Sequence, residues 1–216
     1  MDKATCFLTG RYLARDLPYY RGLARGCFKV AVDGGYRFFL RSGMVPDLLI
    51  GDFDSLKRLP KKLSARTKVL TYPVNKDKTD TELAVDQCIE RGAKSIDIVE
   101  PSIGEPDHFL ANLFLLTRRC VSLEPKAPKM RLVGPAYEAF FLQDSGIRFS
   151  GARGSIVSII PVSDRIRLTC RGTAFDISGV RISRGETRPA RNRIMAARAD
   201  FQIVGQAFVV RLVSRR

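Results

Sequence analysis

The 216-residue chain contains no tryptophan and a single histidine, and its five cysteines are scattered. Each scarcity removes a class of chemistry. Cys6, Cys27, Cys88, Cys120 and Cys170 are odd in number and never fall as Cys-x-x-Cys, which argues against a disulfide frame or a zinc site. Reduced, buried thiols in a cytoplasmic protein are expected instead. His108 has no GxSxG partner to serve, so a Ser-His-Asp hydrolase is unsupported. There is no GxxxxGK[ST] and no GxGxxG, hence neither a P-loop nor an ordinary dinucleotide fold. No apolar stretch reaches the roughly 20 residues that cross a bilayer. The opening Met1-Asp2-Lys3-Ala4-Thr5-Cys6 lacks the layout of a secretory signal. Without tryptophan, any ring stacking on a ligand falls to Phe or Tyr. Acids are also short, 22 against 37 Lys and Arg, for a net charge of +15. Such a field attracts nucleic acid or an anionic small molecule. The basic residues are dispersed, with no RNP signature, zinc finger or basic heptad, so a polyphosphate is expected rather than nucleic acid, and no membrane partner.

What is present is an alternation. Apolar runs suited to buried parallel strands occur at Ala4-Leu8, Phe28-Val32, Leu48-Ile50, Val69-Tyr72, Ile96-Val99 and Met130-Val133. Helical stretches lie between them at Tyr12–Arg25, Tyr36–Ser42, Thr81–Arg91 and Asp107–Val121. Thr79-Asp80-Thr81-Glu82 has the spacing of a capping box, and Gly92 stands where a helix stop belongs. The pattern predicts an α/β fold with a mainly parallel sheet over residues 1–142. From residue 143 to 216 the segments are short, β-branched and punctuated by glycine. Ile147-Phe149, Ser155-Val162, Ile166-Cys170, Ala174-Ile177, Ala197-Val204 and Ala207-Val213 read as strands, with a two-residue hairpin at Gly205-Gln206. A smaller all-β, sandwich-like domain is expected there.

Open parallel sheets bind ligands outside the carboxyl ends of their strands. The acids at those ends form one set: Asp33 before Gly34-Gly35, Asp52 and Asp54 in Gly51-Asp52-Phe53-Asp54-Ser55, Asp77 and Asp80, and Asp107 beside His108. By itself the Gly51–Ser55 stretch reads equally well as an Asx turn. Several acids on one rim repel each other unless a cation sits among them, and Mg²⁺ suits carboxylate oxygens together with phosphates. Gly34-Gly35 would let backbone N–H groups approach a phosphate at a helix start. Lys76 and Lys78 flank Asp77 and either neutralise phosphate oxygens or lie solvated. Phe53 is expected to pack inward and hold its turn.

Asp33-Gly34-Gly35, Gly51-Asp52-Phe53-Asp54-Ser55 and Asp77-Lys78-Thr79-Asp80-Thr81-Glu82-Leu83-Ala84, in this order, resemble the thiamine pyrophosphokinase family. Asp107-His108 resembles its next motif, and the likeness extends over nearly the whole chain. The resemblance implies an α/β catalytic domain at residues 1–142 and a C-terminal β-sandwich at 143–216 that binds acceptor and forms a homodimer. It implies Mg²⁺-dependent transfer of a diphosphoryl group from ATP to the hydroxyl of thiamine, releasing AMP. Asp52, Asp54 and Asp80 would then be the catalytic, metal-coordinating acids. Asp33, Gly34, Gly35, Asp77, Lys78, Thr79, Asp107 and His108 would hold the nucleotide, and Arg191 and Asn192 the acceptor. Two stretches depart from the family pattern. Glu105-Pro106 stands in place of a glycine and an arginine, and Arg191 and Arg193 flank Asn192 where Ser and Glu are usual. These departures leave room for a different hydroxyalkyl heterocycle as acceptor, or for a catalytically silent nucleotide-binding or RNA-associated homologue.

Overall fold

The computed structural model describes residues 1–54, 56, 63–122 and 128–213, with 118–122 described by their backbone alone. Ser55 lies outside the described residues. The chain divides into two compact units, Met1–Pro135 and Ala136–Arg216.

The first unit is the expected alternation. Strands β1 (Lys3–Phe7), β2 (Phe28–Val32), β3 (Leu48–Gly51), β4 (Lys68–Thr71), β5 (Ser95–Val99) and β6 (Lys129–Gly134) pair in parallel, in the order β6-β5-β1-β2-β3-β4. Central strands such as β3 are buried on both faces, which is why they read as unbroken apolar runs. Edge strand β4 exposes Lys68 and Thr71. Helices α1 (Leu17–Leu23), α2 (Tyr36–Ser42), α3 (Asp80–Glu90) and α4 (Pro106–Ser122) follow β1, β2, β4 and β5. Successive β1 residues point to opposite faces. The Phe7 ring stacks on Phe38 of α2 at 4.3 Å between centroids, while Cys6 Sγ lies 3.7 Å from Cys88 Sγ of α3. Helices therefore cover both sides.

The helix expected at Tyr12–Arg25 is shorter. A 3-10 turn occupies Ala14–Asp16 and α1 begins only at Leu17, with Pro18 in its first turn. Proline lacks a donor and suits that turn, not a helix interior. The α3 signals act as the sequence predicts. Thr79 Oγ1 accepts from the Glu82 amide at 3.2 Å. At the other end Gly92, at φ +74°, lets its own N–H bond Ile89 O and that of Ala93 bond Cys88 O.

Gly35 is needed for space rather than for its dihedrals, since its φ of −57° suits any residue. A Cβ there would sit 1.9 Å from the Phe7 carbonyl oxygen. Gly35→Ala is expected to destabilise by about 3 kcal/mol or more, because backbone rather than a flexible side chain must yield. Chemical denaturation measures this, and a loss below about 1 kcal/mol would show that the strand and turn can separate.

The second unit has two four-stranded antiparallel sheets. One is ordered β12 (Asn192–Arg193), β9 (Ile156–Pro161), β14 (Gln206–Leu212), β7 (Tyr137–Gln143). The other is ordered β11 (Ile177–Ser183), β10 (Arg165–Arg171), β13 (Arg198–Val204), β8 (Gly146–Ser150). Inward residues of both, including Val157, Ile159, Leu168, Phe201 and Val209, form one core. Three expectations change. The unit starts before residue 143, because Tyr137–Gln143 pairs along its whole length with β14. Of the strand expected at Ala174–Ile177, residues 174–176 form a loop held by Asp176 Oδ1, which accepts from the Thr173 amide at 2.9 Å, and the strand begins only at Ile177. Gly205-Gln206 closes no hairpin. Strand β13 pairs with β8 and β10 while β14 pairs with β7 and β9, so Gly205, at φ +99°, carries the chain from one sheet to the other.

Candidate active site

A cleft of about 1040 Å³ opens at the carboxyl ends of the parallel strands. Its place follows from topology. The chain passes from β1 to β2, β3 and β4 on one side, then returns to lay β5 and β6 on the other. The reversal leaves a crevice between β1 and β5. Leu8 to Arg11, Glu100 and the segment Lys76 to Thr81 line it.

At the β2 end lies Asp33, buried and at φ +45°, an uncommon conformation for a residue with a Cβ. Thr9 Oγ1 donates to its Oδ2 at 3.3 Å, whereas Oδ1 is buried with no partner among the described residues. At the end of β3, Gly51 at φ +151° runs close beside Asp33, and a Cβ on it would sit 3.0 Å from that of Asp33. The close approach brings carboxylate oxygens of Asp33, Asp52 and Asp54 within 4.8 Å of one another. Phe53 supports the turn, buried in the aromatic core at φ +64°. Asp52 Oδ1 also accepts from the Asp54 amide at 3.2 Å, so the stretch is at once a side-chain-closed turn and a gathering of acids.

The converging trio is Asp33, Asp52 and Asp54, not the expected Asp52, Asp54 and Asp80. Lys76 is the reason. Its ammonium donates to Asp52 Oδ2 at 2.8 Å and stands 3.2 Å from Asp80 Oδ1, so it lies between those two acids. Far from solvated, its side chain is 13% exposed. The hydrogen bond from Lys76 holds Asp52 below the usual carboxylate range, despite an opposing contribution from burial. Asp80 moves the other way: burial raises it, with the charges of Asp52 and Asp33 adding, and Lys76 only partly compensates. Burial alone would lower the Lys76 ammonium, but its two acid partners leave it raised.

Asp77, Lys78, Thr79, Asp107 and His108 all line the cleft, as expected of residues at one rim. Lys78 is also tied to Asp86 at 2.8 Å, and the Thr79 hydroxyl is engaged in capping α3. His108 is exposed, with Nε2 3.8 Å from Glu105 Oε2. Gly34 and Gly35 are buried and are not among the cleft-lining residues, Gly35 being used against Phe7. Asn192 does not offer its amide to a ligand. Its Oδ1 accepts from the Phe175 amide at 3.1 Å, and its Nδ2 donates to Thr173 Oγ1 at 3.1 Å and Phe175 O at 2.7 Å. This buried side chain braces the 173–175 loop. Arg191 is exposed at φ +61°, its backbone amide bonded to Ser158 Oγ at 3.0 Å.

The sequence reading passed over Glu100 and Asn112, which are buried and line the cleft. Glu100 carried a usable signal, since it directly follows the apolar end of β5 just as Asp33 follows β2.

Residues 21–126 match the family model described as thiamin pyrophosphokinase, catalytic domain. A thiamine pyrophosphokinase of Bacillus subtilis (strain 168) is 29% identical over 180 residues, 80% of each chain. The crystal structure of thiamine pyrophosphokinase from Bacillus subtilis superposes with a TM-score of 0.81 at 26% identity, covering 99% of this chain and 100% of that one. That of thiamin pyrophosphokinase from Geobacillus thermodenitrificans gives 0.80 at 26%, covering 100% and 98%. At 12% identity the Candida albicans thiamin pyrophosphokinase shares the fold, with a TM-score of 0.77 over 99% of this chain and 89% of that one.

Proposed function

The chain belongs to the thiamine pyrophosphokinase family, and from that premise we propose that it transfers a diphosphoryl group from Mg-ATP to the hydroxyl of thiamine, giving thiamine diphosphate and AMP. The observation that carries this reading is the convergence of Asp52 and Asp54 on Asp33, which lines the cleft at the sheet's switch point. An all-oxygen donor set with a buried, unpartnered Asp33 Oδ1 fits Mg²⁺. Asp33, Asp52 and Asp54 would hold the ion, which when bound screens the negative charge of the phosphates. Asp80 shares the site through Lys76, whose fixed ammonium supplies further positive charge beside Asp52. Asp77, Lys78, Thr79, Asp107 and His108 are assigned to orienting the nucleotide along the rim. Attack on a phosphorus of this kind depends on positioning and charge screening, and calls for no covalent protein intermediate.

In this reading residues 1–135 hold the nucleotide, and the β-sandwich binds acceptor and forms the homodimer. Arg191 lies beside the acceptor, and Asn192 acts through the loop it braces. The protein is placed in the cytoplasm, in keeping with its unpaired cysteines at positions 6, 27, 88 and 170. Among the described residues no helix is long and apolar enough to cross a membrane. Purified protein with Mg-ATP and thiamine is expected to release AMP and form thiamine diphosphate, followed by chromatography. Absence of both at saturating substrate overturns the proposal. One observation favours a different acceptor. Arg191 and Arg193 are both exposed, and two guanidiniums disfavour a cationic thiazolium. AMP released with a neutral or anionic hydroxyalkyl heterocycle, and not with thiamine, would select that reading.

A further inference from the structure

Glu100 and Asn112 lie in the cleft but have no part in the acid cluster. Glu100 is 5% exposed and Asn112 6% exposed. The Asn112 Nδ2 donates to Glu100 Oε1 at 3.0 Å, and no other side-chain partner of either group is present among the described residues. Glu100 Oε2 and Asn112 Oδ1 are thus left with capacity to bond a ligand. A buried carboxyl with one oxygen uncommitted needs a structural or ligand-binding explanation.

The backbone around it is firmly fixed. The Glu100 amide donates to Val133 O at 2.9 Å and its carbonyl accepts from Tyr20 Oη at 3.0 Å. Arg11 and Ile103 exchange backbone hydrogen bonds of 3.0 and 3.1 Å, tying the loop after β5 to the loop after β1. Gly104 keeps the space beside the free oxygen open, since a Cβ there would lie 3.6 Å from Oε2.

We propose that Glu100, oriented by Asn112, is a specificity residue that recognises the amidine edge of a 4-aminopyrimidine ring, an exocyclic amine next to an unprotonated ring nitrogen. The amine offers donors to Glu100 Oε2 and Asn112 Oδ1, and the ring nitrogen accepts the proton of a carboxylic acid. Burial raises the proton affinity of Glu100 even though Asn112 and His108 oppose it, which favours the protonated form this pairing uses. Adenine and the pyrimidine ring of thiamine both carry such an edge. Geometry suits the nucleotide. The end of β5 is three strands from the end of β3, about 14 Å at ~4.8 Å per strand, so a base at Glu100 and phosphates at Asp52 can occupy one extended molecule.

This inference rests on the proposed diphosphokinase reading for its two candidate ligands, and its test requires no turnover. Titration calorimetry with each ligand alone compares ATP with inosine triphosphate, and thiamine with its 4-oxo analogue. In wild type the amino compound of one pair is expected to bind about tenfold tighter or more, because the oxo form presents N–H where an acceptor is needed. Glu100→Gln should bring that ratio near one or invert it, since Asn112 Nδ2 keeps the carboxamide oxygen at the Oε1 position and turns its NH2 to the exocyclic group, which suits the carbonyl of the oxo compound and not an amine. Asn112→Ala should weaken the same ratio and no other. The pair that responds identifies the source, nucleotide base or acceptor ring. If both ratios are unchanged in both variants, with folding verified by circular dichroism, the proposal is overturned. Product formation with unmoved ratios would defeat this inference alone. Shifted ATP ratios without any thiamine diphosphate would defeat the acceptor reading and leave Glu100 as the base-recognition residue.

Discussion

Asp52→Asn is expected to cut the rate of AMP release by about 10³-fold, on the scale of removing one pre-placed electrostatic group from a reaction centre. The substitution keeps shape and can still close the turn through an oxygen accepting the Asp54 amide, so the local fold should hold. What disappears is the charge at the centre of the cluster. Asp52 belongs to the converging trio and is also held by Lys76, with its ionised form favoured by that ammonium. Without it the trio retains two acids, and Lys76 keeps Asp80 as its acid partner together with the Pro73 carbonyl. Initial rates together with thermal unfolding separate the two effects. A variant within tenfold of wild type would show that the cluster is a turn and not a reaction centre.

A second large effect, on stability, is expected far from the cleft, at Asp97. This buried carboxylate on β5 accepts from Arg131 of β6 through Nε at 2.7 Å and Nη2 at 2.9 Å, and from Lys3 of β1 at 2.7 Å. It thereby joins three adjacent strands. Asp97→Ala leaves two cations around a site that is 4% exposed. Breaking a buried pair on one side usually costs about 3–5 kcal/mol. The figure here should lie near 3, because Lys3 and Arg131 are 34% and 29% exposed and recover some hydration. Burial opposes ionisation, but Arg131 and Lys3 hold the carboxyl below its ordinary value of 3.8. A depressed folded-state value contributes stability above the unfolded value, and loses it as pH falls through the folded one. The gap between wild type and Asp97→Ala should therefore be full at neutral pH and close below about pH 4. Urea unfolding at several pH values checks both; a gap that widens on acidification contradicts the sign.

Much of the fold was readable because local rules and tertiary needs coincide in the first unit. Strands buried on both faces must be apolar throughout, and the Thr79 cap and Gly92 stop are short-range devices whose partners lie within a few residues. The acids after β2 and β3 were found in the same way, by position at strand ends. The second unit was less legible. In a sandwich, neighbours in sequence can lie in different sheets, and nothing local at Gly205 distinguishes a hairpin from a crossover. Residues 137–142 were assigned to the first unit because the pairing partner of β7, β14, is nearly seventy residues away along the chain, at Gln206–Leu212.

By itself the sequence determined the strand-helix alternation, the acids at the strand ends and the resemblance to a family, because each depends on residue type at short spacing. Only the tertiary structure decided which acids meet. Asp33 comes to Asp52 because Gly51 allows two backbones to approach, and Asp80 is kept apart because Lys76 takes the space between. It also turned Asn192 from a ligand contact into a loop brace and brought Glu100 into the cleft with one oxygen uncommitted. Contacts across distant segments depend on burial and packing, which short-range spacing does not encode.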